Sequence, residues 1–430
     1  MSAMTVTAAS QVAMLPTTNT DIARSGATPL RVSKQAVPKG FAFAATHCGL
    51  KKSKLDLGLL VSEIPASAAA VFTTNRVQAA PVRLCREHLK QSCGKVRAII
   101  VNSGNANCCT GPQGMAASRA TAAHLARALR CPSEEILVCS TGVIGAPLRV
   151  EKILDSIPAL ILARDVEPGA FEQVARAIMT TDTRPKWAFA TCRIGSKRVR
   201  LLGCAKGSGM IHPNMATMLS YILTDGAISS ALLSRALRAA AAPTFNSITV
   251  DGDTSTNDTL AILANGQSGA RKITAKSRDY KGFVSALQKV CESLALAIVE
   301  DGEGAQRVIE IEVRGAPSDR AADRIARTIA NSSLVKTAFA GADPNWGRIL
   351  AAAGRSGVDF DFERVNIWLA GIPVCRRGRE YPFDERSAHE KMLAKRVPIL
   401  VDLRSGHGRA RMWTCDFTQE YVHINASYRT

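Results

Sequence analysis

Residues 206–219 place a lysine, a histidine and a threonine in a glycine-rich loop that runs into an apolar segment, with the sequence KGSGMIHPNMATML. The hydroxyl of Thr217 could act as a nucleophile, but a threonine hydroxyl is weak and needs a base close to it. Gly and Pro at this density are typical of a turn between two elements. Taken alone, the pattern therefore predicts a connecting loop.

Further polar groups follow apolar segments elsewhere in the chain. Thr141 and Gly142 come directly after the apolar residues 136–139, and Glu303 lies in the sequence DGEG that follows a long helical pattern. By pattern alone, residues 140–142 are a strand-ending turn. Lys206 and Glu303 are then solvated charges, and Asn425 and Thr430 belong to an ordinary tail.

Several common active-site motifs are missing from the sequence. It contains no Walker A motif, no G-x-G-x-x-G and no G-x-S-x-G, so nothing supports a nucleotide cofactor. The pair His389-Glu390 lacks the second histidine of the zinc-binding helix motif, and the seven histidines are dispersed, so we expect no metal site. A Ser-His-Asp triad stays open, because its members need not be close in sequence.

The elements that must position these groups alternate between strands and helices. Apolar stretches predict strands, and apolar faces with helical spacing predict helices. The predicted strands cover residues 57–61, 98–101, 136–139, 199–204, 219–223 and 308–313, with strands again suggested over 411–425. The predicted helices cover residues 115–129, 170–179, 230–241, 283–299 and 320–330. This alternation indicates a mixed α/β fold, and 430 residues indicate two or more lobes.

The composition is that of a globular protein with a basic surface. Hydrophobic residues make up 46% of the chain, and 55 Lys and Arg against 36 Asp and Glu give a net charge of +19. Such an excess leaves a basic nucleic-acid-binding protein as one alternative. The basic residues are scattered, however, and aromatic residues are only 5% of the chain, which disfavours base-stacking surfaces. No uncharged apolar run reaches the ~18 residues that would span a bilayer, so we expect no membrane partner.

The cysteines and the N-terminus predict an intracellular protein. The twelve cysteines form no C-x-x-C pair, and no secretory signal is visible, so reduced thiols and a cytoplasmic location are expected. Residues 1–33 are rich in Ser, Thr and Ala, which overlaps with organelle transit peptides. Basic residues are sparse there, and we favour a flexible tail over residues 1–36.

The chain resembles the ornithine acetyltransferase family, whose members are also called bifunctional glutamate N-acetyltransferase and amino-acid acetyltransferase. The resemblance runs from about Pro38 to Thr430 and rests on several segments in family order. They are residues 101–107, 140–145, 179–183, 206–219, 250–258, 300–305, 341–348 and 421–426. One departure is Ser427, where the family pattern leads us to expect an acidic residue.

This resemblance implies a fold and a processing event. The implied fold is the N-terminal-nucleophile-like fold of the ArgJ and DmpA type, with mixed sheets packed between helices in two lobes. Members of the family cleave an Ala-Thr peptide bond autocatalytically, and the corresponding bond here joins Ala216 to Thr217. Residues 37–216 would then form an α-chain and residues 217–430 a β-chain, assembled as an α2β2 heterotetramer.

The resemblance also implies roles for individual residues. Cleavage frees the α-amine of Thr217, with an ordinary pKa of ~7.7–8.0, beside the nucleophilic hydroxyl of the same residue. Thr141 and Gly142 would stabilise the oxyanion that forms during acyl transfer. The family's substrate-binding pattern maps onto Thr180, Lys206, Thr217, Glu303, Asn425 and Thr430.

The implied reaction moves the acetyl group of N2-acetylornithine to glutamate through an acetyl-Thr217 ester. It uses small amino-acid substrates and no cofactor, with acetyl-CoA as a possible co-substrate. Two other functions stay open: an N-terminal-nucleophile amidase or aminopeptidase, and the basic nucleic-acid-binding protein.

Overall fold

The computed structural model describes residues 31–212 and 218–427 of the 430-residue chain. Contacts between Cα atoms group Val32–Thr430 into one compact unit. The predicted cleavage residues Ala216 and Thr217 and the predicted binding residue Thr430 lie outside the described residues.

Strands and helices alternate along the described ranges. The strands, β1 to β14, are Phe41–Thr46, Leu57–Phe72, Lys95–Asn105, Ile136–Val143, Lys186–Ile194, Lys197–Lys206, Leu219–Thr224, Thr259–Ala264, Val308–Ala316, Asn366–Leu369, Ile372–Arg376, Arg379–Glu380, Arg396–Asp402 and Gly408–Cys415. The helices, α1 to α11, are Ala80–Gln91, Gly111–Leu129, Val150–Leu162, Pro168–Ala177, Ser230–Ala241, Arg278–Glu300, Asp319–Ala330, Ser333–Ala340, Trp346–Gly354, Glu385–Met392 and Gln419–Ala426.

The larger sheet mixes parallel and antiparallel pairs in the strand order β4-β3-β2-β8-β7-β6-β5, with β1 added beside β2. The parallel pairs are β3–β4 and β7–β8. Strand β2 connects two halves of this sheet, one made of β1, β3 and β4 and the other of β5 to β8. Its first part pairs with β1 and β3, and its last part pairs with β8. Its pairing with β3 shifts register between Val61 and Ala66.

The two halves of this sheet face each other across a shared core. One face of β3 and β4 contributes Ile99 and Leu137 to the same hydrophobic cluster as Leu202, Tyr221 and Leu263 from β6, β7 and β8. The opposite face of β3 and β4 packs against α2 and α3, and the opposite face of β6 to β8 packs against α5 and α6. The resulting layers are helix, strand, strand and helix, which brings loops from both halves of the sheet together.

The smaller sheet has the strand order β12-β11-β10-β13-β9-β14 and its own hydrophobic core. Helices α7, α8, α9 and α10 supply buried residues to that core. Strand β9 pairs parallel with β13 and antiparallel with β14. Together the sheets confirm the predicted mixed α/β class.

Helix α6 is the long helix predicted from its apolar spacing. The predicted face of Phe283, Leu287, Val290, Leu294 and Ile298 is fully buried. The helix is long and apolar enough to cross a membrane by length and composition, but 56% of its apolar window is buried inside the fold. That burial is typical of a core helix.

Most predicted elements match, and the differences lie at the ends of segments. Residues 140–142 were expected to form a turn after a strand, but β4 continues through Val143 because Thr141 and Gly142 pair with β3. The prediction of strands over 411–425 is wrong beyond Cys415, because Gln419–Ala426 forms helix α11. The Thr418 hydroxyl donates to the Gly304 carbonyl at 2.7 Å and turns the chain away from the sheet.

The N-terminal edge of the compact unit lies slightly before residue 37. Lys34–Ala36 forms one turn of 3-10 helix, and the side chains of Val32 and Ala36 are buried. The twelve cysteines are all free thiols in this structure.

Candidate active site

Asn257 joins the two halves of the larger sheet at the point where the predicted site residues meet. Its side-chain amide donates to the carbonyls of Ala106 at 2.6 Å and Ser140 at 2.8 Å. Ala106 directly follows β3 and Ser140 lies in the second half of β4, whereas Asn257 lies two residues before β8. The start of β7 is held there too, because the Thr259 N–H donates to the Met218 carbonyl at 2.9 Å.

Lys206, the last residue of β6, brings two predicted threonines to one point. Its ammonium donates to Thr180 Oγ1 at 2.8 Å and to Thr141 Oγ1 at 3.3 Å. Burial lowers the pKa of Lys206, while the carboxylate of Asp182 acts in the opposite direction and favours the charged form. A buried cation of this kind can hold a substrate carboxylate strongly, because little water competes for it.

A buried network of charges lies behind Lys206. Lys186 Nζ lies 2.6 Å from Asp182 Oδ1 and 2.5 Å from Asp301 Oδ2, and all three side chains are at most 3% exposed. Asp182 also accepts the N–H groups of Gly207 at 2.7 Å and Thr180 at 2.9 Å. Burial alone would raise the pKa of Asp182, but Lys186, Lys206 and the Gly207 N–H hold it well below its usual range. The network therefore fixes the loops on both sides of Lys206.

Gly142 occupies a position that accepts no side chain. Its φ is +131°, and a Cβ atom there would lie 2.4 Å from the backbone carbon of Gly104 and 2.5 Å from the nitrogen of Asn105. This close approach of β3 and β4 puts the Gly142 backbone on the cavity wall beside the Thr141 hydroxyl. A backbone N–H and a hydroxyl are suitable donors for an oxyanion.

Glu303 forms the opposite wall together with helix α11. Its carboxylate accepts a hydrogen bond from the Asn425 side chain at 2.7 Å and packs so closely on Gly209 that a Cβ there would lie 2.3 Å from Oε2. Gly304, with φ of +70°, lets the loop pass the Tyr421 N–H of α11. Glu303 is 6% exposed, so a substrate ammonium is a fitting partner for its carboxylate.

These groups line one cavity of about 290 Å³. The predicted residues that the structure brings together in it are Thr141, Gly142, Thr180, Lys206, Glu303 and Asn425. Met218, the residue after the predicted nucleophile, lines it as well. A cation and a carboxylate in a cavity of this size match an amino acid, which carries both charges.

The predictions from sequence missed the residues that support Lys206. Asp182 and Asp301 lie inside segments that carry the family resemblance, but no role was assigned to them. Lys186 gave no signal, because it looks like any surface lysine before a strand. Within the described ranges, no three His, Cys, Asp or Glu side chains cluster in a way that could hold a metal ion.

Comparison with known proteins assigns the chain to a family. The model of the ArgJ family matches residues 42–430. An arginine biosynthesis bifunctional protein ArgJ from Thermotoga neapolitana is 48% identical over 398 residues, covering 92% of this chain and 100% of the relative. The protein of the same name from Caldanaerobacter subterraneus is 46% identical over 401 residues, covering 92% and 98%.

Two solved structures were also matched. The crystal structure of arginine biosynthesis bifunctional protein ArgJ from Bacillus halodurans is 44% identical and covers 49% of this chain and 100% of its own, with a TM-score of 0.48. Ornithine acetyltransferase from Mycobacterium tuberculosis, solved with ornithine, is 37% identical and covers 43% and 98%, with a TM-score of 0.37.

The chain belongs to the ArgJ family. The match of the family model to residues 42–430 confirms the resemblance predicted over residues 38–430. With the family come the class of protein, an enzyme of arginine biosynthesis, and a small-molecule substrate.

Proposed function

We propose that this enzyme transfers the acetyl group of N2-acetylornithine to glutamate through an acetyl ester on Thr217. The observation that carries the proposal is the convergence of six predicted residues, from five separate parts of the chain, on one cavity beside Met218. Relatives that are 46–48% identical and named arginine biosynthesis bifunctional protein ArgJ support the reaction class.

The proposed cycle begins with cleavage of the bond between Ala216 and Thr217, which frees the Thr217 amine. That amine takes the proton of the Thr217 hydroxyl as the oxygen attacks the acetyl carbonyl. Thr141 and Gly142 donate hydrogen bonds to the oxyanion. The Thr217 amine passes that proton to the leaving nitrogen, and ornithine departs. Glutamate then enters, its neutral amine attacks the ester carbonyl and takes the acetyl group, and the proton that its nitrogen loses returns to the Thr217 oxygen through the Thr217 amine.

The charges in the cavity account for the choice of substrates. Lys206 would hold the α-carboxylate that both substrates carry. Glu303 would hold the ammonium at the far end of N2-acetylornithine. Asn425 would fix the position of the Glu303 carboxylate, to which it donates a hydrogen bond. The Thr180 hydroxyl accepts a hydrogen bond from the Lys206 ammonium, and Thr430 completes the proposed set of binding residues. The enclosed site protects the acetyl ester from water.

Pairing of strands explains how a cleaved chain would stay assembled. Lys206 of β6 pairs with Leu219 of β7, and Ser67 of β2 pairs with Ala264 of β8. Each pair joins the proposed α-chain, residues 37–216, to the proposed β-chain, residues 217–430. We further propose that the enzyme lies in the cytoplasm and that it assembles as an α2β2 heterotetramer. A native mass measurement of the purified protein tests the assembly.

Neither alternative function accounts for the site as well. An amidase would need water as the acceptor, whereas the cavity offers paired positive and negative groups for a second amino acid. A nucleic-acid-binding protein would need an extended basic surface. Among the described residues that line the cavity, the basic side chain is the single buried Lys206.

The first experiment is intact-mass analysis of the expressed wild-type chain beside Thr217→Ala and Thr217→Ser. Two fragments that meet between Ala216 and Thr217 are expected in the wild type and in the Ser variant, which keeps a hydroxyl. The Ala variant is expected to stay whole. A folded wild-type protein that remains one 45.8 kDa chain would refute the mechanism.

The second experiment follows isotope-labelled acetyl from N2-acetylornithine by mass spectrometry, with glutamate, without glutamate, and with acetyl-CoA as the donor. Label should appear on glutamate and should need Thr217. Acetate release that glutamate does not suppress would instead support the amidase. Label from acetyl-CoA on glutamate would establish the second donor that the word bifunctional in the relatives' names suggests.

A further inference from the structure

Asp258 is a buried carboxyl group in the cavity that the proposed cycle leaves without a task. It directly precedes β8 and is 2% exposed. Strands β7 and β8 are parallel, with Leu219 opposite Thr259, so Asp258 lies level with Met218. The Thr259 N–H donates to the Met218 carbonyl at 2.9 Å, which fixes this register next to the bond that joins Met218 to Thr217.

The carboxyl group has unused hydrogen-bonding capacity. Its Oδ2 atom is buried and has no hydrogen-bond partner among the residues that the structure describes. A buried polar atom without a partner costs stability, so its presence calls for a reason. Burial raises the pKa of Asp258 well above its usual range, and a hydrogen bond from Ser255 and the charge of Lys206 oppose this only in part. Burial therefore favours the protonated form of this carboxyl group, which is able to give a proton.

Other titratable side chains on the described cavity wall are already engaged. Lys206 donates to Thr180 and Thr141, and Glu303 accepts from Asn425. His212 borders the same loop, but its ring interacts with Thr249 and Asn331. Among the described residues that line the cavity, Asp258 is thus the acid with an unpaired carboxyl oxygen, and it lies level with Met218.

We propose that Asp258 relays the proton that self-cleavage requires, an inference that rests on the proposed cleavage between Ala216 and Thr217. In this step Thr217 Oγ attacks the Ala216 carbonyl carbon, and the bond from that carbon to the Thr217 nitrogen breaks. The nitrogen must gain one proton, and the hydroxyl must lose one. The Asp258 carboxyl gives its proton to the nitrogen and recovers one from the hydroxyl.

The relay leaves the carboxyl group unchanged and converts the peptide bond into an ester on Thr217 Oγ. Water then hydrolyses the ester and releases the Ala216 carboxylate. No cofactor or oxidant is needed. Positioned acid–base groups typically contribute ~10²–10⁴-fold to a rate, so we expect loss of the relay to slow cleavage by at least about 100-fold.

The test follows cleavage of freshly synthesised full-length chain in cell-free translation, by gel and intact mass. Asp258→Asn keeps the size of the side chain and removes its proton. The control is Asp225→Asn, a second buried aspartate of the same sheet, which pairs with Arg200 at the far end of β7. At ~3.3 Å per residue that end is roughly 20 Å away. Slow cleavage is expected for Asp258→Asn only.

The outcomes separate this inference from the proposed function. A wild-type chain that never cuts would defeat the proposed function. A wild type that cuts, together with an Asp258→Asn variant that cuts as fast, would defeat the inference alone. If the Asn variant does not fold, Asp258→Glu and Asp258→Gln, which are equal in size, replace it. The inference then requires cleavage in the Glu variant at least tenfold faster than in the Gln variant.

Hydroxylamine distinguishes a role in ester formation from a role in ester hydrolysis, because it attacks esters far faster than amides. The relay acts before the ester forms, so hydroxylamine should not speed cleavage of Asp258→Asn. Restoration of the wild-type rate by hydroxylamine would show that the ester forms without Asp258 and would overturn the inference.

Discussion

Replacing Asp182 by Asn tests whether the buried charge network supports both the fold and the recognition of substrate. The Asp182 carboxylate lies 2.6 Å from Lys186 Nζ and accepts the Gly207 N–H at 2.7 Å. The amide keeps the shape but removes the negative charge. Lys186 and Lys206 are then left as two buried cations with Asp301 as the remaining carboxylate of the network.

The expected loss of stability follows from burial of the pair. Removing one partner of a fully buried ion pair costs about 3–5 kcal/mol, because the other charge stays in a medium of low dielectric. With an unfolding entropy near 2.1 cal/mol/K per residue, a compact unit of about 400 residues should melt about 4–6 °C lower. The pKa of Lys206 should fall as well, because Asp182 favours its charged form. Binding of the substrate carboxylate should weaken, which raises KM more than it lowers kcat.

The assay combines thermal unfolding followed by circular dichroism with steady-state acetyl transfer. Asp279→Asn is the matched control, since its partner Arg271 lies 2.8 Å away but is 71% exposed. Exposed ion pairs are worth about 1 kcal/mol or less, so this variant should melt within about 1 °C of the wild type. A melting point of Asp182→Asn equally close to the wild type, with KM unchanged, would refute the reasoning.

Three further outcomes follow from the same structure. Gly142→Ala forces a Cβ to within 2.4 Å of backbone atoms and should lower kcat by about 10²–10³-fold. Gly145 also has a positive φ, but a Cβ there meets nothing within 4 Å, so Gly145→Ala should keep the wild-type kcat. Equal kcat values for the two variants would contradict the oxyanion role. Glu303→Gln should raise KM for N2-acetylornithine about tenfold or more through loss of a charge-assisted contact. Glu300→Gln should not, because Glu300 is the last residue of α6 and its carboxylate pairs with Arg184 and Arg396; matching KM values would remove Glu303 from recognition. The folded pKa of Asp182 is depressed, so its stabilising effect is present above its unfolded pKa of ~3.9 and is lost as pH falls through the lower folded value. Melting curves between pH 5 and pH 2 should therefore fall more steeply for the wild type than for Asp182→Asn, and parallel curves would contradict this.

Local patterns predicted the elements that carry their own signals. The helix predicted over residues 230–241 has those bounds, and the Ser229 hydroxyl accepts the Leu232 N–H at its start. The apolar spacing of residues 283–299 predicted the buried face of α6. Periodicity of this kind depends on neighbours within a few residues, so it can be read without the fold.

The segment after β14 shows where local patterns fail. Tyr421, Val422 and Ile424 suggested a strand, but a strand needs a partner edge, and the chain leaves β14 at Cys415. The Thr418 hydroxyl and Gly304 direct it instead into α11, which lays Asn425 against Glu303. Whether an edge is available is a property of the whole sheet.

The site divides in the same way. Family resemblance, carried by short segments of sequence, was enough to select Thr141, Gly142, Thr180, Lys206, Glu303 and Asn425. The roles of Ala216, Thr217 and Thr430, and the division of the chain at residue 217, stay predictions. The sequence had no means of showing which carboxylates face which lysines.

The sequence alone thus determined the family, the class of fold and most of the residues that line the cavity, because those features depend on local order along the chain. Only the tertiary structure decided the surroundings of each group. Lys206 meets Thr141 from 65 residues away, and Lys186 meets Asp301 from 115 residues away. Burial and electrostatic attraction act through space, so the groups that tune Lys206 and the burial that raises the pKa of Asp258 emerge only once the sheet has folded over itself.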